Sequence, residues 1–166
     1  MGKPGGAGSM TRDEAIDILT QAGQAEDDAF PLLDAAIACA IHDAPLRDPA
    51  PVRALADRAA ERLAERLIED GPDEALSETM CGDFRLNGDL LQHDDPANTD
   101  VIDIAERRRG LSAALSVFYL DAARRNDLRA DGVDFPGHFL LRVETSEGPV
   151  ALDPFSQGRL VLPSEL

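Results

Sequence analysis

The sequence predicts an α+β domain in which helices come first and a small antiparallel sheet follows. Up to Leu128, most segments show the hydrophobic spacing of helices. After Leu128 the chain consists of short β-branched or aromatic runs separated by turn residues. The chain has 166 residues, of which 43% are hydrophobic, so one domain with its own core is expected.

The helical part opens with two helices. Thr11 and Glu14 have the spacing of a capping box, and Gly23 fits the stop of this first helix. The stretch from about 29 to 42 is apolar nearly all round, which predicts a deeply packed second helix.

Two further helices are expected before a loop. The third is the clearest, with Asp48 placed to cap it and with apolar residues at helical spacing, namely Val52, Leu55, Ala56, Ala59, Leu63 and Leu67. A short fourth helix is expected within 73–84. The stretch 85–99 is rich in Asn, Asp, Gly and Pro, which predicts mostly loop.

The fifth and sixth helices differ in burial. Asn98 or Thr99 is expected to cap the fifth, which should end at Gly110. The segment 111–127, "LSAALSVFYLDAARRND", is apolar over most of a helix circumference, so this sixth helix should lie at the centre of the domain.

The remaining segments define the sheet and the domain organisation. The runs "GVDF", "HFLLRVET", "PVALDP" and "GRLVL" predict short strands, and "TSEGP" predicts a hairpin loop. We expect residues 1–10 to be a Gly-rich leader, 11–96 a helical subdomain and 97–166 the core that carries the sheet. The last two should form one compact domain.

The chain is strongly acidic, with a formal net charge of −16 and an isoelectric point near 4.4. A nucleic-acid binder needs Lys and Arg to neutralise phosphates, and anionic membranes attract basic segments, so we predict neither partner. The acidity indicates either a solvated surface or a basic protein partner. The sequence shows no secretory signal or membrane-length apolar run and no CxxC spacing, so we expect a cytoplasmic protein with reduced thiols.

Two residues of the predicted strands are candidates for chemistry. His138 follows Pro136-Gly137 at the start of one strand, and Asp153 lies in the next. A histidine and an aspartate on neighbouring strands are two members of a catalytic triad. The alternative is a structural pair in which Asp153 orients His138 and fixes the strand register.

The blocks "ERRRGLSAALSVFYLDAARRNDL", "GVDFPGHFLLRV" and "LDPFSQGRLV" occur in this order within residues 98–162. Together they resemble the SirB1 family, whose core is a transglutaminase-like domain. The resemblance implies a papain-like architecture, with a central helix packed on an antiparallel sheet and a nucleophilic cysteine two residues after a glycine. Carried onto this sequence, the glycine is Gly110, the histidine His138 and the acid Asp153, while the cysteine position holds Ser112.

Ser112 departs from the pattern of the active enzymes. A thiol with a pKa of about 8.5 forms a thiolate readily, above all at a helix N-terminus beside a histidinium. A serine must instead transfer its proton to the histidine during attack, which demands close alignment and an oxyanion hole. Since serine is a favoured helix cap, we interpret Ser112 first as the N-cap of the sixth helix, with a nucleophile as the alternative.

The two cysteines are candidates for a further nucleophile, and the histidine His93 is a candidate metal ligand. Cys39 and Cys81 are interpreted as packing residues, with Cys81 the better alternative nucleophile. His93 has acidic neighbours, but the sequence contains no HExxH or comparable ligand spacing. We predict no metal and no cofactor.

A dense basic cluster, Arg107, Arg108 and Arg109, stands out in this acidic chain. Positive charge at a helix C-terminus complements the helix dipole. Alternatively, these residues and Arg142 bind an anion or a partner.

Three functions follow from these observations. The first is a non-catalytic transglutaminase-like domain that serves as a regulatory or protein-interaction module with another protein. The second is a hydrolase or acyl-transferase that uses Ser112, His138 and Asp153. The third is a binder of a small anionic ligand in the same cleft. The missing cysteine favours the first.

Overall fold

The computed structural model describes residues 9–165, and six α-helices and six short strands lie within that range. The helices are α1 (Arg12–Ala22), α2 (Leu32–Asp43), α3 (Ala50–Arg66), α4 (Pro72–Ser77), α5 (Val101–Arg107) and α6 (Ser112–Arg125). The strands are β1 (Asn87–Gly88), β2 (Arg109–Gly110), β3 (Ala130–Phe135), β4 (His138–Thr145), β5 (Gly148–Asp153) and β6 (Arg159–Val161). Short helical turns of other types cover Asp27–Ala29, Glu78–Asp83, Pro96–Thr99 and Pro163–Glu165.

Local hydrogen bonds set the starts of the first two helices. At α1 the Thr11 amide donates to Glu14 Oε2 at 2.7 Å, and the Glu14 amide donates to Thr11 Oγ1 at 3.3 Å, so the predicted capping box is confirmed. Gly23 is the C-cap, as predicted. α2 begins at Leu32 rather than near residue 29, because Asp27–Ala29 forms a separate 3₁₀ turn.

The caps of the later helices agree only in part with the prediction. Asp48 is the cap expected for α3, but the N-cap is Pro49, which has no side-chain capping bond. Asp48 Oδ1 still accepts the Ala50 amide at 2.9 Å from the position before the cap. The cap of α5 is Asp100, whose carboxylate accepts amides of the first turn, so the expectation of Asn98 or Thr99 is wrong. The stretch 85–99 is also more ordered than predicted, since it contains β1 and a 3₁₀ turn.

The strands form two separate pairings. β3, β4, β5 and β6 make a four-stranded antiparallel sheet in chain order, with Val133 opposite Leu140 and Leu141 opposite Leu152. β1 and β2 form a two-residue parallel pairing that joins the loop before α5 to the residues just before α6.

α6 lies at the centre of the hydrophobic core. Leu115, Phe118 and Tyr119 are fully buried, and the helix contacts α2, α3 and α5 as well as β3 and β4. Leu141 and Val143 of β4 belong to the same buried cluster. The α+β class and the central buried helix are therefore confirmed.

One continuous hydrophobic cluster runs from Ala15 in α1 to Leu152 in β5, through both halves of the chain. Residues 1–8 of the expected leader lie outside the described residues, and Met10 packs against the cluster. Within residues 9–165, no helix is both long enough and apolar enough to cross a membrane.

Candidate functional site

A cleft of about 250 Å³ brings Ser112, His138 and Asp153 together. Ser112 comes from the start of α6, His138 from the start of β4 and Asp153 from the end of β5. The other lining residues are His93, Leu111, Gly137, Phe139, Phe155 and Ser156. The three positions indicated by the family resemblance therefore share one site.

Ser112 is the first residue of α6 and not its cap. The N-cap is Leu111, whose extended backbone precedes the helix and whose side chain makes no capping hydrogen bond. The expected N-cap role of Ser112 is therefore wrong. The Leu111 amide donates to Asn98 O at 2.8 Å, which fixes the start of α6 against the preceding loop. The positive end of the helix dipole thus lies at the cleft.

Asp153 is buried and is engaged by the turn that follows it. Its Oδ1 accepts the amides of Phe155 at 3.0 Å and Ser156 at 3.3 Å. This Asx-type turn fixes the backbone of the "DPFS" segment that lines the cleft. The exposed His138 imidazole has no hydrogen bond to Asp153 or Ser112 among residues 9–165. The orienting role expected of Asp153 is therefore absent from this conformation.

Neither cysteine lines the cleft. Cys39 is exposed on α2, contrary to the packing role expected for it. Cys81 is half-buried and its thiol donates to Asn87 Oδ1 at 3.1 Å. Partial desolvation raises the pKa of both thiols, with smaller contributions from Asp43 at Cys39 and Glu78 at Cys81. At neutral pH both are mainly protonated, which makes them weak nucleophiles.

The four arginines do not converge on the cleft, because none of them lines it. Arg107 lies 3.0 Å from Asp89 Oδ2. Arg108 ends α5 in the left-handed conformation and donates to backbone carbonyls, while Arg109 is exposed in β2. Arg142 pairs with Glu144 on β4. In this conformation, the first two arginines hold the fold around α5.

The cleft residues that the sequence did not predict include His93, Phe155 and Ser156. The His93 ring meets the Phe155 ring edge-on at a centroid distance of 5.8 Å. The local signal for Phe155 and Ser156 was "DPFS", a pattern typical of an Asx turn. No local signal brings His93 to the cleft, because its loop reaches the cleft through tertiary contacts.

The cleft offers polar groups around a helix N-terminus, with two serines and two imidazoles. Such a set can bind a polar or anionic group. Among the described residues, no group of three His, Cys, Asp or Glu side chains is arranged to hold a metal ion.

Comparisons with known proteins agree with this architecture. UPF0162 proteins of two Xylella fastidiosa strains are 30% identical over 145 residues, which cover 85% of this chain and 52% of theirs. A UPF0162 protein of Pseudomonas aeruginosa is 33% identical over 113 residues, covering 67% and 35% of the two chains. F-box only protein 21 of Mus musculus is 26% identical over 94 residues, 52% of this chain and 15% of that protein.

The chain spans about half the length of the Xylella relatives. No solved structure matches it. Residues 50–166 match the transglutaminase-like superfamily, so the match begins at α3 and includes every residue that lines the cleft. The expected transglutaminase-like fold is confirmed, and the chain belongs to the transglutaminase-like superfamily.

Proposed function

We propose that this chain is a non-catalytic transglutaminase-like domain of the SirB1 family. It acts in the cytoplasm as a regulatory or protein-interaction module. The observation that carries the proposal is the composition of the cleft, where Ser112 stands at the position expected to hold the nucleophilic cysteine and no thiol is among the lining residues.

The surroundings of Ser112 support recognition rather than covalent catalysis. A serine hydroxyl needs a base about 2.6–3.2 Å away, and that base needs an orienting acid. Here Asp153 Oδ1 accepts two backbone amides, and no hydrogen bond in the described residues links His138 to either partner. A buried carboxylate that stabilises its own turn keeps the cleft in shape without activating the serine.

The charge of the chain supports a protein partner with a basic surface. The sequence has 32 acidic and 16 basic residues. A field of this size accelerates association with an oppositely charged partner and disfavours acidic ones.

Labelling with a fluorophosphonate probe tests the non-catalytic assignment. We expect the wild-type chain to remain unlabelled, because Ser112 lacks a general base in hydrogen-bond contact. Ser156→Ala is the matched control for Ser112→Ala, since both serines line the cleft. Labelling of the wild type and of Ser156→Ala that disappears in Ser112→Ala would instead establish a serine hydrolase or acyl-transferase.

The interaction part is tested with a partner identified by cross-linking in cells and then purified. We expect Ser112→Ala to leave the Kd of the reconstituted complex unchanged, because the hydroxyl performs no chemistry. Absence of any cross-linked partner from all surface positions tested would refute a protein-interaction role.

A further inference from the structure

Leu90 and Leu91 are adjacent leucines that are almost fully exposed, at 82% and 94%. They lie on the loop between β1 and the 3₁₀ turn at Pro96–Thr99. Ile68 and Leu46 are also highly exposed, but each stands alone. Single exposed apolar side chains are ordinary on protein surfaces, whereas contiguous apolar patches are typical of contact sites, and two consecutive exposed leucines are a candidate for one.

A buried carboxylate fixes the backbone that carries this leucine pair. Asp89 is 6% exposed, and its Oδ1 accepts the amides of Leu91 at 3.1 Å and Gln92 at 3.0 Å. Its Oδ2 lies 3.0 Å from the Arg107 guanidinium. Hydrogen bonds from Gln92 and Leu91 lower the pKa of Asp89, so the carboxylate stays charged at neutral pH.

The far side of the loop is anchored as well. Asn98 is fully buried, and its side-chain amide donates to Gln92 O at 2.6 Å and His93 O at 3.4 Å. Arg107 also lies 3.4 Å from Asp95. Because the loop is held on both sides, little loop entropy is lost when the leucines bind.

We propose that Leu90 and Leu91 are the anchor by which this chain inserts into an apolar pocket, rimmed by Lys or Arg, on a partner protein. The inference rests on the proposed interaction role and names its surface. A convex apolar pair fits a concave pocket. The basic rim follows from charge, since Asp94 on the same loop is fully exposed and the chain carries a net charge of −16.

Charge also argues against two other occupants of the leucine pair. Two copies of the chain, each with a net charge of −16, repel one another. An anionic lipid surface repels the acidic loop in the same way.

The experiment places a photo-cross-linking amino acid at Leu91 and, as a control, at Ile68, and uses the full chain in its native cells. The protein captured from position 91 is then purified and its Kd for the chain is measured directly. We expect the double variant Leu90→Ser, Leu91→Ser to raise that Kd at least about tenfold, as loss of apolar anchors does. Ile68→Ser should leave the Kd unchanged.

Two further measurements test the charge argument. Asp94→Asn should weaken binding modestly and reduce the dependence of the Kd on NaCl. Circular dichroism should show that the serine variants fold normally, because the replaced side chains are exposed.

The outcomes separate this inference from the proposed function. An unchanged Kd in the double serine variant, or cross-links from Ile68 but not from Leu91, would refute the anchor and leave the interaction role intact. Capture of a second copy of the chain, or wild-type binding to phosphatidylcholine–phosphatidylglycerol vesicles that the double variant loses, would refute the protein pocket. No cross-linked partner from any position would refute both proposals.

Discussion

Gly88 and Phe155 meet at a point beside the cleft where one added carbon does not fit. An ideal Cβ on Gly88 would lie 2.5 Å from carbons of the Phe155 ring and 2.6 Å from its carbonyl oxygen. The Gly88 amide donates to that same oxygen at 3.0 Å. The contact between β1 and the turn after β5 therefore depends on the missing side chain.

Gly88→Ala should consequently destabilise the fold. We expect a loss of about 1–3 kcal/mol in the free energy of unfolding, as in other overpacked sites, measured by urea denaturation. Gly23→Ala is the matched control, because a Cβ there would lie 3.5 Å from its nearest neighbour, Leu19 O, and the φ of −64° is ordinary. Equal stability of the two variants would show that the Phe155 turn moves freely.

Individual site residues were predictable only where the chain marks them locally. His138 and Asp153 stand out because each lies in a strand-like run, and both reach the cleft. The hydrogen bonds of Asp153 were not predictable, since a carboxylate followed by "PFS" can bind either its own turn or a neighbouring imidazole. The outcome depends on the positions of the strands, which no short segment encodes.

At the scale of secondary-structure elements, helix caps are likewise predictable only where the local sequence decides them. Thr11 and Glu14 satisfy each other within a single turn, so α1 was predicted correctly. At α5 three polar residues in a row can cap, and tertiary contacts decide between them. Asn98 is buried with its amide on loop carbonyls, and Thr99 donates to Pro96 O, which leaves Asp100 as the cap.

The contribution of the α1 capping box to the free energy of unfolding is expected to be measurable and to depend on pH. Thr11→Ala should lower the free energy of unfolding by about 0.5–2 kcal/mol at pH 7, as loss of an N-cap does. Thr20→Ala, at an exposed position of the same helix, is the control and should change stability little.

The pH dependence follows from Glu14, whose pKa is lowered by hydrogen bonds from the Thr11 amide and hydroxyl. Its contribution is present above the pKa of the unfolded chain and is lost as pH falls through the lower, folded pKa. The loss of stability caused by Thr11→Ala should therefore be smaller at acid pH. A loss that increases at acid pH would contradict a stabilising role of the Glu14 carboxylate in the capping box.

Across the whole molecule, the order of helices and strands was predictable because each periodicity is local. The pairing of β1 with β2 was not, since Asn87 and Gly88 meet Arg109 and Gly110 from a distant part of the sequence. The same limit applies to the cleft, whose walls come from the loop before α5, the start of α6 and the ends of β4 and β5.

Because one hydrophobic cluster includes both halves of the chain, we expect a single cooperative unfolding transition. Circular dichroism at 222 nm reports mainly the helices. Fluorescence of Tyr119, the chain's one tyrosine in the absence of tryptophan, reports the core. The two signals should coincide in a urea titration, and separate midpoints would show that residues 11–96 unfold independently of 97–166.

The short parallel pairing of β1 and β2 also has a mechanical consequence. The Asp89 amide donates to Gly110 O, and the Leu111 amide donates to Asn98 O, so the loop is fastened at both ends to the two residues before Ser112. The loop that carries Leu90 and Leu91 is therefore attached through backbone hydrogen bonds to the segment that begins α6. Moving the loop away from the body of the protein would require breaking these hydrogen bonds, which end at the residues just before Ser112.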